Sequence, residues 1–169
     1  VHRYIPSWRD LGVFVAGGAG LPGTPAGWQT KPVEAPMRII DLLRHTSGLT
    51  YGLFGPGLVK QDYRESGIES TRSISNVQFA ERIARLPLAY EPGSTWDYSN
   101  STDVLGRVLE VVSGQPLGQL LKARLFDPLG MTDTSFTVPE PERQARIAEP
   151  FAGDGVTPGS SLFDPRRPA

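Results

Sequence analysis

Residues 91–114 give the clearest structural signal in the sequence, and they read EPGSTWDYSNSTDVLGRVLEVVSG. Over Ser101–Ser113 apolar residues recur at the three- and four-residue spacing of an α-helix, and Gly114 follows where a C-terminal glycine belongs. The Pro-Gly turn at residues 92–93 leads through a short extended stretch to Tyr98, directly before this helix. We therefore predict a helix whose start holds Tyr98 at a rigid edge with its side chain free.

The sequence outside residues 91–114 predicts further helices, flanked by a loop-rich region at each end of the chain. Glycine and proline, 19 and 16 of 169 residues, cluster in residues 12–36 and 139–169, and such stretches favour turns. The sequence thus predicts a mainly α fold with long loops and a candidate short β-hairpin. One further predicted helix is Met37–Arg44, and another runs from the capping box of Ser75 and Gln78 to Leu86. A third runs from Pro116 to Asp127. Its inward-facing residues are predicted to be Leu117, Leu120, Leu121 and Leu125. The hairpin strands are 13–15 and 28–31.

Composition excludes several classes of function. The formal net charge is −1, from 17 basic and 18 acidic residues, so no nucleic-acid partner or anionic membrane is indicated. No run approaches the roughly 18 apolar residues of a membrane span. There is no cysteine, which excludes disulfides and thiolate chemistry, and the two histidines lie far apart in the sequence. A histidine-rich metal site is therefore not expected.

Three further sequence motifs occur in order along the chain, before, within and after the predicted helix Ser101–Ser113. They are MRIIDLLRHTSGL at residues 37–49, LGRVLE at 105–110 and FDPLGMTDTSF at 126–136. Together with Tyr98-Ser99-Asn100, this series closely resembles the β-lactamase-like serine hydrolase family. That family includes class C β-lactamases, D-alanyl-D-alanine carboxypeptidases and β-lactamase-fold carboxylesterases. The resemblance covers roughly residues 1–147.

The resemblance implies three catalytic motifs: Ser-x-x-Lys, Tyr-x-Asn, and Lys-Thr-Gly or a His- or Trp-Gly variant. The second is present, with Tyr98 and Asn100 as the candidate catalytic residues. The resemblance also implies that residues 1–150 form the helical-subdomain region of a two-domain α/β plus all-α fold. Residues 151–169 are then a Pro/Gly-rich loop tail. It implies no metal and no organic cofactor.

The first and third motifs are missing from this sequence. None of the three lysines has a serine three residues before it, and none is followed by Thr-Gly. The family places Ser-x-x-Lys upstream of a segment like Tyr4-Ile5-Pro6, and the third motif near the C-terminus. We therefore expect an internal fragment of a serine hydrolase that is inactive alone.

The implied roles have a physical basis. Serine is a poor nucleophile until a base takes its proton, and free lysine and tyrosine, with pKa values of about 10.4 and 10, are poor bases. Beside a charged lysine, a phenolate is favoured, so Tyr98 would shuttle protons between serine, leaving group and water. Asn100 would hydrogen-bond the lysine and the substrate carbonyl.

The substrate is predicted to be a small-molecule ester or amide. Trp96 and the string after Tyr98, 103–106, favour the carboxylesterase branch, whereas Asn100 is the β-lactamase residue type, so β-lactamase and peptidase activities stay open. Trp96, Tyr51 and Phe54 are candidate substrate-cleft residues, with plain loop packing as the alternative. For His45 at a helix end we predict a structural role, capping carbonyl groups.

A rival hypothesis is a non-catalytic binding or folding module that docks on a partner chain supplying Ser-x-x-Lys. A separated helical subdomain would expose apolar faces, and such patches drive association. We therefore expect self-association or a partner chain. The compartment stays open between bacterial cytoplasm and periplasm.

Overall fold

The structure is a computed structural model that describes residues 1–16, 28–69 and 74–148. The chain divides into two compact units, Val1–Gln115 and Pro116–Ala169. The predicted loop tail at residues 151–169 lies outside the described residues. The candidate site residues all belong to the first unit.

The described elements are mainly helical, which confirms the predicted fold class. No helix in the described ranges is long and apolar enough to cross a membrane. In chain order the elements are a 3₁₀ turn Pro6–Trp8, β1 Gly12–Ala16, β2 Trp28–Pro32, α1 Ile39–Leu43, α2 Leu58–Ser66, α3 Asn76–Ile83, α4 Ser101–Ser113, α5 Leu117–Leu121, a π-helical segment Lys122–Phe126 and α6 Pro141–Gln144.

The predicted hairpin is confirmed. Strands β1 and β2 pair antiparallel, with Phe14 opposite Thr30 at the centre of the ladder. The free edge of β1 also bonds a later segment: Phe14 N–H donates to the Leu88 carbonyl and Leu88 N–H to the Gly12 carbonyl, both at 2.8 Å. These two hydrogen bonds therefore fix the backbone at Leu88, just before the segment that leads to Tyr98.

Local capping signals set the helix ends. Helix α4 has the predicted bounds, and Gly114 adopts a left-handed conformation with φ of 69° at its C-terminus. At the start of α3 the predicted capping box forms, since Ser75 Oγ accepts from Gln78 N–H and Gln78 Oε1 accepts from Ser75 N–H. The helix ends at Ile83, earlier than the predicted Leu86, and α1 is likewise shorter than predicted.

Helix α4 forms the centre of the first unit. It contacts both α1 and α3, burying Val104 and Val108. The indole Nε1 of Trp8 donates to the Ala80 carbonyl at 3.0 Å, which ties the N-terminal turn to α3. The almost fully buried apolar side chains around this centre are Leu42, Leu49, Tyr63, Ala80, Ile83, Leu88 and Val104.

The predicted inward leucine face after Pro116 is wrong in part. Leu117, Leu120 and Leu121 are half-buried and Leu125 is 43% exposed. The physical reason is a change of helix type, because α5 gives way to a π-helical turn at Lys122–Phe126. A π-turn holds more residues than an α-turn, so Leu125 leaves the face that α-helical spacing assigns to it.

Gly48 offers a stability test, since it has φ of 86° and a Cβ added there would overlap the Tyr90 carbonyl oxygen. Gly114 has a similar φ of 69° but open space around it. We expect Gly48→Ala to lower the free energy of unfolding by about 3 kcal/mol or more. Gly114→Ala should cost about 1 kcal/mol, because it meets only the left-handed backbone penalty.

Urea denaturation of the two variants measures this difference. Equal losses at both positions would show that the approach of Gly48 to Tyr90 is not a tight constraint.

Candidate active site

Two segments meet at the base of the candidate site: the loop after α1 and the stretch that leads into α4. Their main chains are joined by Ala89 N–H to Gly48 O at 2.7 Å, Gly93 N–H to Thr46 O at 2.6 Å and Asp97 N–H to His45 O at 3.0 Å. Buried peptide groups need such partners. The site residues at 96–100 are therefore held by backbone bonds along their approach.

An ion pair orders the start of α1, which carries the first of these segments. Arg38 donates to the Asp41 carboxylate through its backbone N–H and through Nε and Nη2, at 2.8 to 3.1 Å. Burial pushes the pKa of Asp41 upward, but the hydrogen bonds and charge of Arg38 outweigh it and hold that pKa below its usual range. The Asp41 carbonyl then accepts from Thr46 N–H at 2.8 Å, closing the loop behind the helix.

His45 occupies an unusual backbone position at the end of α1. Its φ is 54°, the single positive value among the described residues other than glycine. Its Nδ1 accepts from Ser99 N–H at 3.3 Å and lies 3.4 Å from Ser99 Oγ. The predicted structural role is thus seen in a different form, because the ring accepts from the segment before α4 and caps no carbonyl of a described residue.

A chain of buried hydroxyl groups continues from this contact into the core. Ser99 Oγ lies 2.7 Å from Ser101 Oγ, which lies 2.7 Å from Ser47 Oγ. Ser47 Oγ in turn accepts from Leu49 N–H at 3.2 Å. The three serines are almost completely buried. This chain links the loop after α1 to the first turn of α4 through directional bonds.

Asn100 lies in the same buried layer. It occupies the N-cap position of α4, but its side chain makes no capping bond. Instead Nδ2 donates to the Thr50 carbonyl at 2.9 Å, and the residue is 3% exposed. The structure therefore places Asn100 beneath the surface that carries Tyr98, and its predicted catalytic role stays a prediction.

Asp97, the residue before Tyr98, is held from two sides. Thr50 Oγ1 donates to Asp97 Oδ2 at 2.8 Å, and Lys60 Nζ lies 3.6 Å from the same oxygen. Both charged side chains are largely buried. The position of Tyr98 is thus fixed by the contacts of its neighbours on either side.

Tyr98 itself projects from this base into an aromatic cluster. It is 53% exposed, and its ring lies 4.9 Å from His45, 5.5 Å from Tyr51 and 6.4 Å from Phe54 between centroids. Tyr51 and Phe54 meet edge to face at 5.8 Å. The structure thus brings together three of the predicted site residues, and the Tyr98 hydroxyl has no hydrogen bond to any described residue.

Trp96 stands apart from this cluster. It is 66% exposed, and it makes no ring contact with another described aromatic residue. It shares the segment that leads to Tyr98, so its indole is open to solvent near the site. Its assignment to a substrate cleft stays a prediction.

The second phenol of the cluster has a different environment. Tyr51 donates a long hydrogen bond to Asp103 Oδ2 at 3.5 Å. Burial raises the pKa of Tyr51 well above its usual range, and the nearby Asp103 adds to the shift. Burial also raises the pKa of Asp103, partly offset by hydrogen bonds to its carboxylate. Tyr51 is therefore a neutral donor, which leaves Tyr98 as the exposed phenol of the cluster.

The link from His45 to Ser99 is the feature that sequence reasoning missed. The two residues are 54 positions apart, and neither helical spacing nor a short motif relates them. The left-handed backbone of His45 has only a weak sequence signal, since histidine is among the non-glycine residues enriched at positive φ but mostly adopts other conformations. Among the described residues, no group of three or more His, Asp or Glu side chains could hold a metal ion.

Comparison with known proteins gives the family. A family model described as Beta-lactamase matches residues 1–163. The chain belongs to the β-lactamase family. Esterase EstB of Burkholderia gladioli, a relative, is 43% identical over 116 residues, which are 66% of this chain and 29% of the esterase.

Solved structures extend the β-lactamase-family match to the fold. EstCE1, a hydrolase with promiscuous acyltransferase activity, matches with a TM-score of 0.63 and 31% identity over 84% of this chain and 33% of that one. Unliganded selenomethionyl simvastatin synthase LovD from Aspergillus terreus matches with a TM-score of 0.70 and 26% identity, over 96% of this chain and 39% of that one. The chain thus spans about a third of the length of each of these three proteins.

The buried amide of Asn100 yields a test of the layer beneath Tyr98. In Asn100→Asp a carboxylate oxygen would face the Thr50 carbonyl in place of the N–H donor. We expect the free energy of unfolding at neutral pH to fall by about 3 kcal/mol, because a buried bond is lost and two acceptors are opposed.

Gln119→Glu makes the same chemical change at an exposed residue of α5 and should change stability by less than about 0.5 kcal/mol. Thermal and urea unfolding measure both variants. A loss at Asn100 no larger than at Gln119 would contradict the buried hydrogen bond.

Proposed function

We propose that this chain contributes the general base of a serine hydrolase that cleaves ester or amide bonds through an acyl-serine intermediate. Tyr98 is the proposed base. The observation that carries the proposal is the exposed phenol of Tyr98, whose hydroxyl makes no hydrogen bond to a described residue. The neighbouring residues Asp97 and Ser99 are held in place by hydrogen bonds. A proton-transfer group needs this combination of fixed position and open access.

The proposed reaction has two acyl-transfer steps. The serine of a Ser-x-x-Lys motif attacks the substrate carbonyl, its hydroxyl proton passes to the Tyr98 oxygen, and the leaving alcohol or amine takes that proton as it departs. Water then attacks the acyl-serine, giving its proton to Tyr98, and the serine recovers a proton as the acid leaves. The charged lysine of the same motif stabilises the phenolate form of Tyr98 in each step.

We propose carboxylesterase activity ahead of β-lactamase or D-alanyl-D-alanine carboxypeptidase activity. Trp96 and the Asp-Val-Leu-Gly string at 103–106 support the esterase branch. Two relatives named as esterases, EstB and the lovastatin esterase of Penicillium rubens, support it as well; the latter is 31% identical over 78% of this chain. In this proposal Tyr51, Phe54 and Trp96 line an apolar approach for the ester.

The proposal also holds that these 169 residues alone are inactive. None of their lysines follows a serine at the required spacing. Without that serine there is no hydroxyl for Tyr98 to deprotonate, and without the lysine no adjacent ammonium favours its phenolate.

The test compares the 169-residue chain with the full product of its source gene. Hydrolysis of a short-chain nitrophenyl ester and of a chromogenic cephalosporin is measured for both. We expect activity only in the full product and faster turnover of the ester. In the full product Tyr98→Phe should lower kcat by about 10³-fold, because a general base contributes on that scale.

Tyr4→Phe removes the hydroxyl of another exposed tyrosine and is the matched control, with kcat expected within about twofold of wild type. Ester hydrolysis by the 169-residue chain alone, or an active Tyr98→Phe full product, would overturn the proposed role. Faster turnover of the cephalosporin would instead assign the protein to the antibiotic-hydrolysing branch.

A second candidate function is a docking module for a chain that supplies Ser-x-x-Lys. The observation that favours it is the exposure of large apolar side chains in the first unit. Leu43, Leu58 and Val112 are each more than half exposed. Apolar exposure of this kind marks interaction surfaces.

Self-association of the 169-residue chain tests this second candidate. We expect dimers or larger species in sedimentation velocity at about 100 µM, because weak apolar contacts form at micromolar to millimolar concentration. Val112→Lys, at the most exposed of the three positions, should reduce the association. A monodisperse wild-type monomer at that concentration would count against the docking module.

A further inference from the structure

We propose that His45 is a positioning residue for Tyr98, holding the phenol in place through bonds to the residues on both sides of it. The inference rests on the proposed role of Tyr98 as general base. It adds a residue, 53 positions earlier in the chain, on which the geometry of that base depends.

Two hydrogen bonds carry the argument. The His45 carbonyl accepts from Asp97 N–H at 3.0 Å, and the His45 ring nitrogen Nδ1 accepts from Ser99 N–H at 3.3 Å. Asp97 and Ser99 directly precede and follow Tyr98. One residue thus accepts from the backbone on either side of the proposed base, once with its main chain and once with its side chain.

The second bond acts on Tyr98 through a rigid unit. The Ser99 N–H belongs to the planar peptide group that also contains the carbonyl and Cα of Tyr98. Fixing that N–H therefore fixes the plane from which the Tyr98 side chain projects. The His45 ring also lies against the phenol at 4.9 Å between centroids, with a 37° angle between the ring planes.

The backbone of His45 explains how one residue reaches both partners. With φ of 54° the chain reverses at the end of α1, and the His45 N–H is still bonded to Leu42 O at 3.3 Å. The left-handed turn directs the carbonyl to Asp97 while the ring reaches Ser99. The cost of that conformation in a non-glycine residue indicates that the surrounding contacts over-determine it.

Acceptance at Nδ1 defines the state of the ring. A backbone N–H is always a donor, so Nδ1 must carry a lone pair and the ring proton lies on Nε2. A side chain that replaces His45 must therefore supply a neutral acceptor at the Nδ1 position.

Three substitutions in the full gene product separate the acceptor from the ring. His45→Asn keeps an oxygen near the Nδ1 position and tolerates a left-handed backbone, but it has no ring. His45→Phe keeps a ring and has no acceptor. His45→Gly removes both and relieves the backbone, so it gives a folded comparison should the phenylalanine variant be unstable.

We expect kcat for a nitrophenyl ester to fall about 10²-fold in His45→Gly and His45→Phe, with KM changed less than about threefold, because misplacing a catalytic group by about 1 Å costs on that order. His45→Asn should restore kcat to within about fivefold of wild type. Hydrogen exchange at the Ser99 amide should be slow in wild type and His45→Asn, and at least about tenfold faster in the other two. His2→Phe, at the other histidine of the sequence, is the control and should match wild type.

The outcomes distinguish this inference from the proposed function. An active Tyr98→Phe variant overturns the role of Tyr98, and this inference with it. An inactive Tyr98→Phe together with near-wild-type kcat in His45→Gly overturns the positioning role alone. The same holds if His45→Asn is as slow as His45→Gly, or if Ser99 exchange is equal in all variants.

Discussion

The first unit depends on the backbone pairing between the loop after α1 and the segment that leads to Tyr98. Gly48, Thr46 and His45 each contribute a carbonyl to it, and every donor is a backbone N–H. The pairing needs a sharp reversal at the end of α1, and two residues of that loop, His45 and Gly48, have positive φ. Backbone geometry, more than side-chain packing, therefore determines where the phenol stands.

Beneath Tyr98 the core is polar instead of apolar. Ser47, Ser99 and Ser101 are buried side by side, with each hydroxyl in a hydrogen bond. Such a bond contributes only about 1 kcal/mol net, so apolar residues would stabilise the fold as well or better. Hydrogen bonds differ from apolar contacts in fixing direction as well as distance. A directional layer suits a position where an exposed side chain must project at one angle.

Sequence reasoning succeeded where structure is local. The bounds of α4, its terminal Gly114 and the β1–β2 hairpin follow from spacing and turn chemistry within a few residues. It failed for the leucines after Pro116, because a π-turn changes the spacing on which the prediction depended. It also missed the bond from His45 to Ser99, which exists only once distant segments have met. The motif made Tyr98 a candidate, whereas the contacts that hold Tyr98 in place can be seen only in the tertiary structure.

Burial separates the two phenols of the aromatic cluster into different chemical roles. Tyr51 is crowded by its neighbours and lies beside Asp103, and both raise its pKa, so its hydroxyl keeps its proton and serves as a donor. Tyr98 is more than half exposed and has no carboxylate partner among the described residues. A base must lose and regain a proton without paying for a buried charge each time. Of the two rings, only Tyr98 is exposed enough to meet that condition, and in the proposed reaction the lysine of Ser-x-x-Lys would act on its phenol.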